Sequence, residues 1–155
     1  MNLFGFRFLG YAVFVAGFTM AGLAGLVPAA YAGFEPQAPH GGTLVDAGDD
    51  FAHVEMVFDG VTGTLSAYIL DGEAEEVVPL KQPTLVARLV KPDKTLKLKA
   101  VVSSLSGEKP GETSSYSLTD PSLKGLAQLE GVLLWVNFNG RVFRNLAFQW
   151  PPRKE

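Results

Sequence analysis

Between Thr95 and Val102 the chain alternates without a slip: Leu96, Leu98, Ala100 and Val102 fall on one side, Lys97 and Lys99 on the other. Only an extended strand gives period two, with one face turned to a core and one to water. The same rhythm recurs from residue 43 onward. Thr43 to Asp46, Phe51 to Phe58, Thr64 to Leu70, Thr84 to Val90, Ser114 to Leu118, Val132 to Phe138 and Arg141 to Phe148 are short runs rich in β-branched and aromatic residues. Turn chemistry divides them at Asp59-Gly60, Asp71-Gly72, Lys91-Pro92-Asp93-Lys94 and Asn139-Gly140. Asn-Gly suits a two-residue type I′ hairpin, because both central residues need positive φ. That register sets Phe138 opposite Arg141 and Trp135 opposite Arg144. Asp120-Pro121 reads as an N-cap followed by a first-turn proline, which predicts one helical segment over Pro121 to Leu129. The sum predicts an all-β domain: a two-sheet immunoglobulin-like sandwich of seven to nine short strands.

The N-terminus follows a different logic. Arg7 is the single charge before an uncharged stretch from Phe8 to Val27; Pro28 breaks it, and Ala30-Tyr31-Ala32 offers small residues at a signal-peptidase site. Residues 1–32 are expected to form a helical signal peptide cut after Ala32, of Sec type because no twin-Arg pair is present. The expected location is the periplasm or the exterior. An uncleaved anchor is the rival reading, since about twenty apolar residues span a bilayer, but Gly17, Gly22 and Gly25 dilute the stretch. Residues 33–39 then form a flexible leader, 40–150 the sandwich domain and 151–155 a C-terminal tail.

Composition removes several classes of function. The 155 residues contain no Cys, which excludes disulfide scaffolds, thiolate zinc sites and thiol nucleophiles. A formal charge of -3 argues against a phosphate-neutralising nucleic-acid binder. No G-x-S-x-G elbow, P-loop or G-x-G-x-x-G occurs, and the serines at 103, 104, 106, 114, 115 and 117 have no His nearby in sequence. The expectation is a binding protein, not an enzyme.

The candidate chemistry opens the domain: His40-Gly41-Gly42, then Asp46, Asp49, Asp50, His53 and Glu55. A strand points residues i and i+2 to one side, so His53 and Glu55 share a face. Two imidazoles and carboxylates suit Zn, Cu or Ni. The ligand set expected is His40, His53, Glu55 and Asp49. The competing account makes Gly41-Gly42 a sharp turn, the acidic turn a solvated one, and His53 and Glu55 a hydrogen-bonded pair. A second acidic run, Asp71, Glu73, Glu75 and Glu76, lacks EF-hand spacing and reads as a charged connection.

The last hairpin gives a second lead. Leu133, Trp135, Val142, Leu146 and Phe148 share one face and Val132, Leu134, Val136, Phe138, Phe143 and Ala147 the other, so both faces are apolar. One of them needs a cover, either a loop or another chain. Leu133, Trp135, Arg144, Leu146 and Phe148 form the expected interface with a protein partner or a second copy. Trp135 and Arg144 are placed for a cation-π contact. No nucleic-acid partner is expected, and the membrane matters only during export or with an uncleaved signal.

From Pro39 to about Leu80, His40-Gly41-Gly42, Gly48-Asp49, His53-Val54-Glu55 and Ala67-Tyr68-Ile69-Leu70-Asp71-Gly72 resemble two groups. One comprises small exported bacterial proteins. The other is the HGG-containing segment of periplasmic adaptor subunits of heavy-metal efflux systems. The resemblance implies a β-rich envelope module near metal traffic, with residues 40, 53 and 55 involved, as an accessory of metal efflux. The chain lacks the adaptors' long helical hairpin and lipoyl-like parts, and it has Glu73 where related segments carry a His.

Overall fold

The computed structural model describes residues 36–102, 108–109 and 111–153. The expected signal peptide and the serines at 103, 104 and 106 lie outside the described residues. Among the described residues eight antiparallel strands form: β1 (Thr43–Ala47), β2 (Ala52–Asp59), β3 (Thr64–Asp71), β4 (Thr84–Lys91), β5 (Lys94–Val101), β6 (Ser115–Thr119), β7 (Leu129–Phe138) and β8 (Arg141–Trp150). The all-β expectation holds.

The arrangement of the strands departs from two facing sheets. All eight are hydrogen-bonded into one sheet, in the order β1-β2-β3-β6-β5-β4-β7-β8. Hairpins account for β1-β2, β2-β3, β4-β5 and β7-β8, β5 and β6 pair as successive strands, and β3-β6 and β4-β7 join strands distant in sequence. The sheet curls so far that its edges approach: the Thr43 hydroxyl on β1 donates to the Gln149 carbonyl on β8 at 2.6 Å. It is nearly a barrel. A core fills the inside, drawing Val54, Met56, Leu65, Ile69, Leu85, Leu98, Tyr116, Leu133 and Val136 from six strands. Curling lets a single sheet enclose apolar side chains that a flat one would leave facing water.

Two local expectations change. The helix foreseen over Pro121 to Leu129 is a 3-10 turn, Pro121–Leu123, with Asp120 accepting from the Ser122 amide. Gly125, at φ 77, turns the chain away, and β7 begins at Leu129.

The β7-β8 hairpin keeps the foreseen register, with Phe138 opposite Arg141 and Trp135 opposite Arg144. Its faces, however, exchange halfway along. Leu129, Gly131 and Leu133 are buried in the first half of β7, Val136 and Phe138 in the second. On β8, Leu146, Phe148 and Trp150 pack against the core and so does Phe143, with Arg144 and Asn145 exposed between them. Asn145 is the pivot, with φ 55 inside a strand. Such a break turns the following residues to the opposite face. This is why both faces look apolar in the sequence: each supplies core residues over half its length.

Candidate functional site

The outer face of β1-β2-β3 is where the sequence pointed. The inward set on β2 is Ala52, Val54, Met56 and Phe58, so His53 and Glu55 face outward. They are nevertheless buried, at 5% and 0% exposure. Register sets Asp46 of β1 opposite His53 and Leu44 opposite Glu55, and on the other side Leu70 and Tyr68 of β3.

Glu55 is enclosed by the segment that leads into β1. Its Oε1 accepts the His40 and Gly42 amides, both at 2.8 Å, and its Oε2 accepts His40 Nδ1–H at 2.7 Å. The His40 ring stacks on Tyr68, with centroids 3.8 Å apart and planes 8° from parallel. A buried carboxylate needs such donors to offset lost hydration. The glycines make the approach feasible. Gly41 adopts φ 71. At Gly42 a Cβ would lie 2.6 Å from the Met56 carbonyl oxygen and 2.7 Å from Glu55 Cγ. His40-Gly41-Gly42 and Glu55 together form a latch that ties the leader to the sheet.

A second grouping adjoins it. One ligand atom from each of Asp46, Asp50 and His53 lies within 4.8 Å of the others. His53 Nδ1 lies 3.2 Å from the Asp71 carbonyl oxygen. A carbonyl only accepts, so this bond requires Nδ1–H and leaves Nε2 as the nitrogen with the lone pair. Ligating histidines are commonly fixed in this way. Asp50 and Asp46 are already in touch, the Asp50 amide donating to Asp46 Oδ1 at 3.1 Å. The β3-β4 connection presses on this turn at Gly72, where a Cβ would lie 2.1 Å from the Asp50 carbonyl oxygen. Asp71 organises that connection, accepting the Glu75 and Glu76 amides at 2.8 and 3.1 Å. Asp46 and His53 also wall a cleft of about 500 Å³, shared with Pro36, Ala38, Gly42, Pro152 and Arg153.

The structure therefore divides the expected ligand set. His53 sits with Asp46 and Asp50. His40 and Glu55 hold each other. Asp49 is exposed at φ 53 in the turn and does not belong to the three-residue cluster. Asp46 was readable from the register, because it lies straight across from His53; Tyr68 could be found the same way, across from Glu55. Choosing Asp50 over Asp49 requires the left-handed conformations of both turn residues, which composition does not reveal.

The expected interface is divided too. Leu133 and Phe148 are buried and Leu146 packs against the core, while Trp135 and Arg144 face outward. The cationic ring contacts at this end come from Arg141, whose guanidinium carbon lies 4.5 Å from the Phe51 ring centroid and 5.0 Å from that of Phe143.

Compared with protein-family models, curated proteins and solved structures, the chain matches none.

Proposed function

We propose that this is an exported, non-catalytic protein of the cell envelope that binds a divalent transition metal through Asp46, Asp50 and His53, as an accessory of metal efflux. The reading is carried by one observation, the convergence of those three ligand atoms within 4.8 Å. Two carboxylates and an imidazole suit Zn, Cu or Ni better than Ca, which takes oxygen ligands alone. Three protein ligands leave coordination positions for water or a small ligand, and the adjoining cleft gives them room. On this reading the curled sheet is a variant of the immunoglobulin-like sandwich, with its site where loops gather at one end. The resemblance of the His40 to Gly72 segment to efflux adaptors supports the setting.

Metal titration followed by thermal melting tests it. Bound metal stabilises the folded state by mass action, by roughly 2.7 kcal/mol at a hundred times the Kd. The rise in midpoint is expected to vanish in His53→Ala, shrink in Asp50→Asn and persist in Asp49→Asn. An equal rise in His53→Ala and the parent overturns the assignment.

A further inference from the structure

The phase break in the last hairpin has a second consequence, independent of the metal reading. Had β7 continued its alternation past Leu133, Trp135 and Asn137 would point into the core. The left-handed Asn145 reverses this, so Trp135 stands 37% exposed and Asn137 is turned outward. Asn145 is the one described strand residue with positive φ. Asn tolerates that region better than most side chains, though still at a cost, and residues held in such a conformation cluster at binding sites.

The aromatic turned outward lines a cleft. β4 and β7 pair only as far as Ala87 and Leu133, and beyond that point the strands part. The opening is about 350 Å³ and is lined by Lys81, Gln82, Pro83, Trp135, Asn137 and Asn139, with Gly140 at its rim. The buried Gln82 serves the backbone that β4 has left: its Oε1 accepts the Asn137 amide at 2.9 Å and its Nε2 donates to the Trp135 carbonyl at 3.5 Å. Those backbone groups are therefore taken, and a peptide adding as a further strand would have to displace them. Lys81 shares its charge with Glu112 at 3.7 Å, so the cleft is not built for a strong anion. Asn137 Oδ1 accepts the Gly140 amide at 2.7 Å, which holds that side chain at the cleft with its Nδ2 left to donate. What remains is an indole with the Asn137 amide nitrogen and the Asn139 amide beside it, in a space of ligand size.

We infer that this cleft binds a sugar ring of a neutral glycan, with Trp135 stacking on the apolar C–H face and Asn137 and Asn139 meeting hydroxyl or acetamido groups. A pyranose has one apolar face and a polar rim, which is the complement of this wall. An indole left half in water gains by covering its face, whereas a flat hydrocarbon would strand the amides.

The test uses cellotriose and chitotriose with the purified protein, following the Trp135 indole N–H resonance, assigned by its loss in Trp135→Phe. Saturable shifts with either trisaccharide are expected. Calorimetric affinity should fall roughly tenfold or more in Trp135→Ala, as for aromatic anchors elsewhere. It should fall less in Asn139→Gly, which keeps the turn but removes the amide. Trp135→Phe retains a flat ring and part of the binding, and it decides the matter should the alanine variant melt early. No saturable shift with either sugar, affinity unchanged in Trp135→Ala, or binding of a proline-rich peptide in place of both sugars overturns the inference.

Discussion

Glu55 and His53 stand two residues apart on the same outward face of β2, and both are shut off from bulk water. Their surroundings use them differently. Glu55 meets three donors from a single short segment, and both of its oxygens are engaged. His53 has one ring nitrogen fixed on a carbonyl and two carboxylates nearby, a grouping with acceptor capacity left over. Burial alone does not mark a functional side chain. The distinction lies in whether its hydrogen-bonding capacity is already exhausted.

The harshest way to break that contrast is Glu55→Ala. It leaves the His40 and Gly42 amides without their acceptor and frees the leader. Lost hydrogen bonds to a buried charge suggest a cost of about 2–4 kcal/mol, and so a melting point lower by on the order of 10 °C. Hydrogen exchange at the Gly42 amide should speed up in parallel. A variant melting within a degree or two of the parent would show that the latch carries no stability. The metal response, read against each variant's own midpoint, should survive, because Glu55 is not among the three clustered ligands.

Gly42→Ala probes the same latch from the backbone side. The added methyl meets the Met56 carbonyl, which is part of the β2 backbone and cannot yield as a flexible side-chain tip would. Overpacking of this kind costs about 1–3 kcal/mol. The expected result is a smaller drop in melting point than for Glu55→Ala, with His40 displaced from Tyr68 and an altered Tyr68 ring environment by NMR. An unchanged ring environment would mean that the segment can re-seat without the close approach.

These contrasts show which levels of structure were legible in the sequence. Strands joined by hairpins could be read because pattern and turn chemistry are local: Asn139-Gly140 fixed the β7-β8 register, and period two placed His53 beside Glu55. The closing of the sheet could not, because β3-β6 and β4-β7 pairing is decided by packing between distant segments. The role of His40 depends on a left-handed Gly41, which redirects the chain onto Glu55. The outward Trp135 depends on Asn145, whose left-handed conformation interrupts a run that otherwise reads as an unbroken strand. At both places one backbone angle redirects a side chain that simple alternation would put elsewhere.

A third carboxylate sharpens the comparison with the smallest effect. Asp120 caps the 3-10 turn and meets Lys94 Nζ at 2.5 Å, while Ser122 donates to it from its amide at 2.9 Å and from its hydroxyl at 2.8 Å. The Lys94 contact, then the Ser122 bonds, lower its pKa from 3.8 to about 2. With the folded value below the unfolded one, ionised Asp120 favours the native state above about pH 4, and that share is lost as pH falls through about 2. Asp120→Asn should therefore narrow its stability gap to the parent across this window, as read by denaturant midpoints at successive pH values. The pair lies at the surface with both side chains half-buried, and this keeps the effect modest. A gap that stays constant from pH 6 down to pH 2 would show that Asp120 acts through its capping geometry and not through its charge.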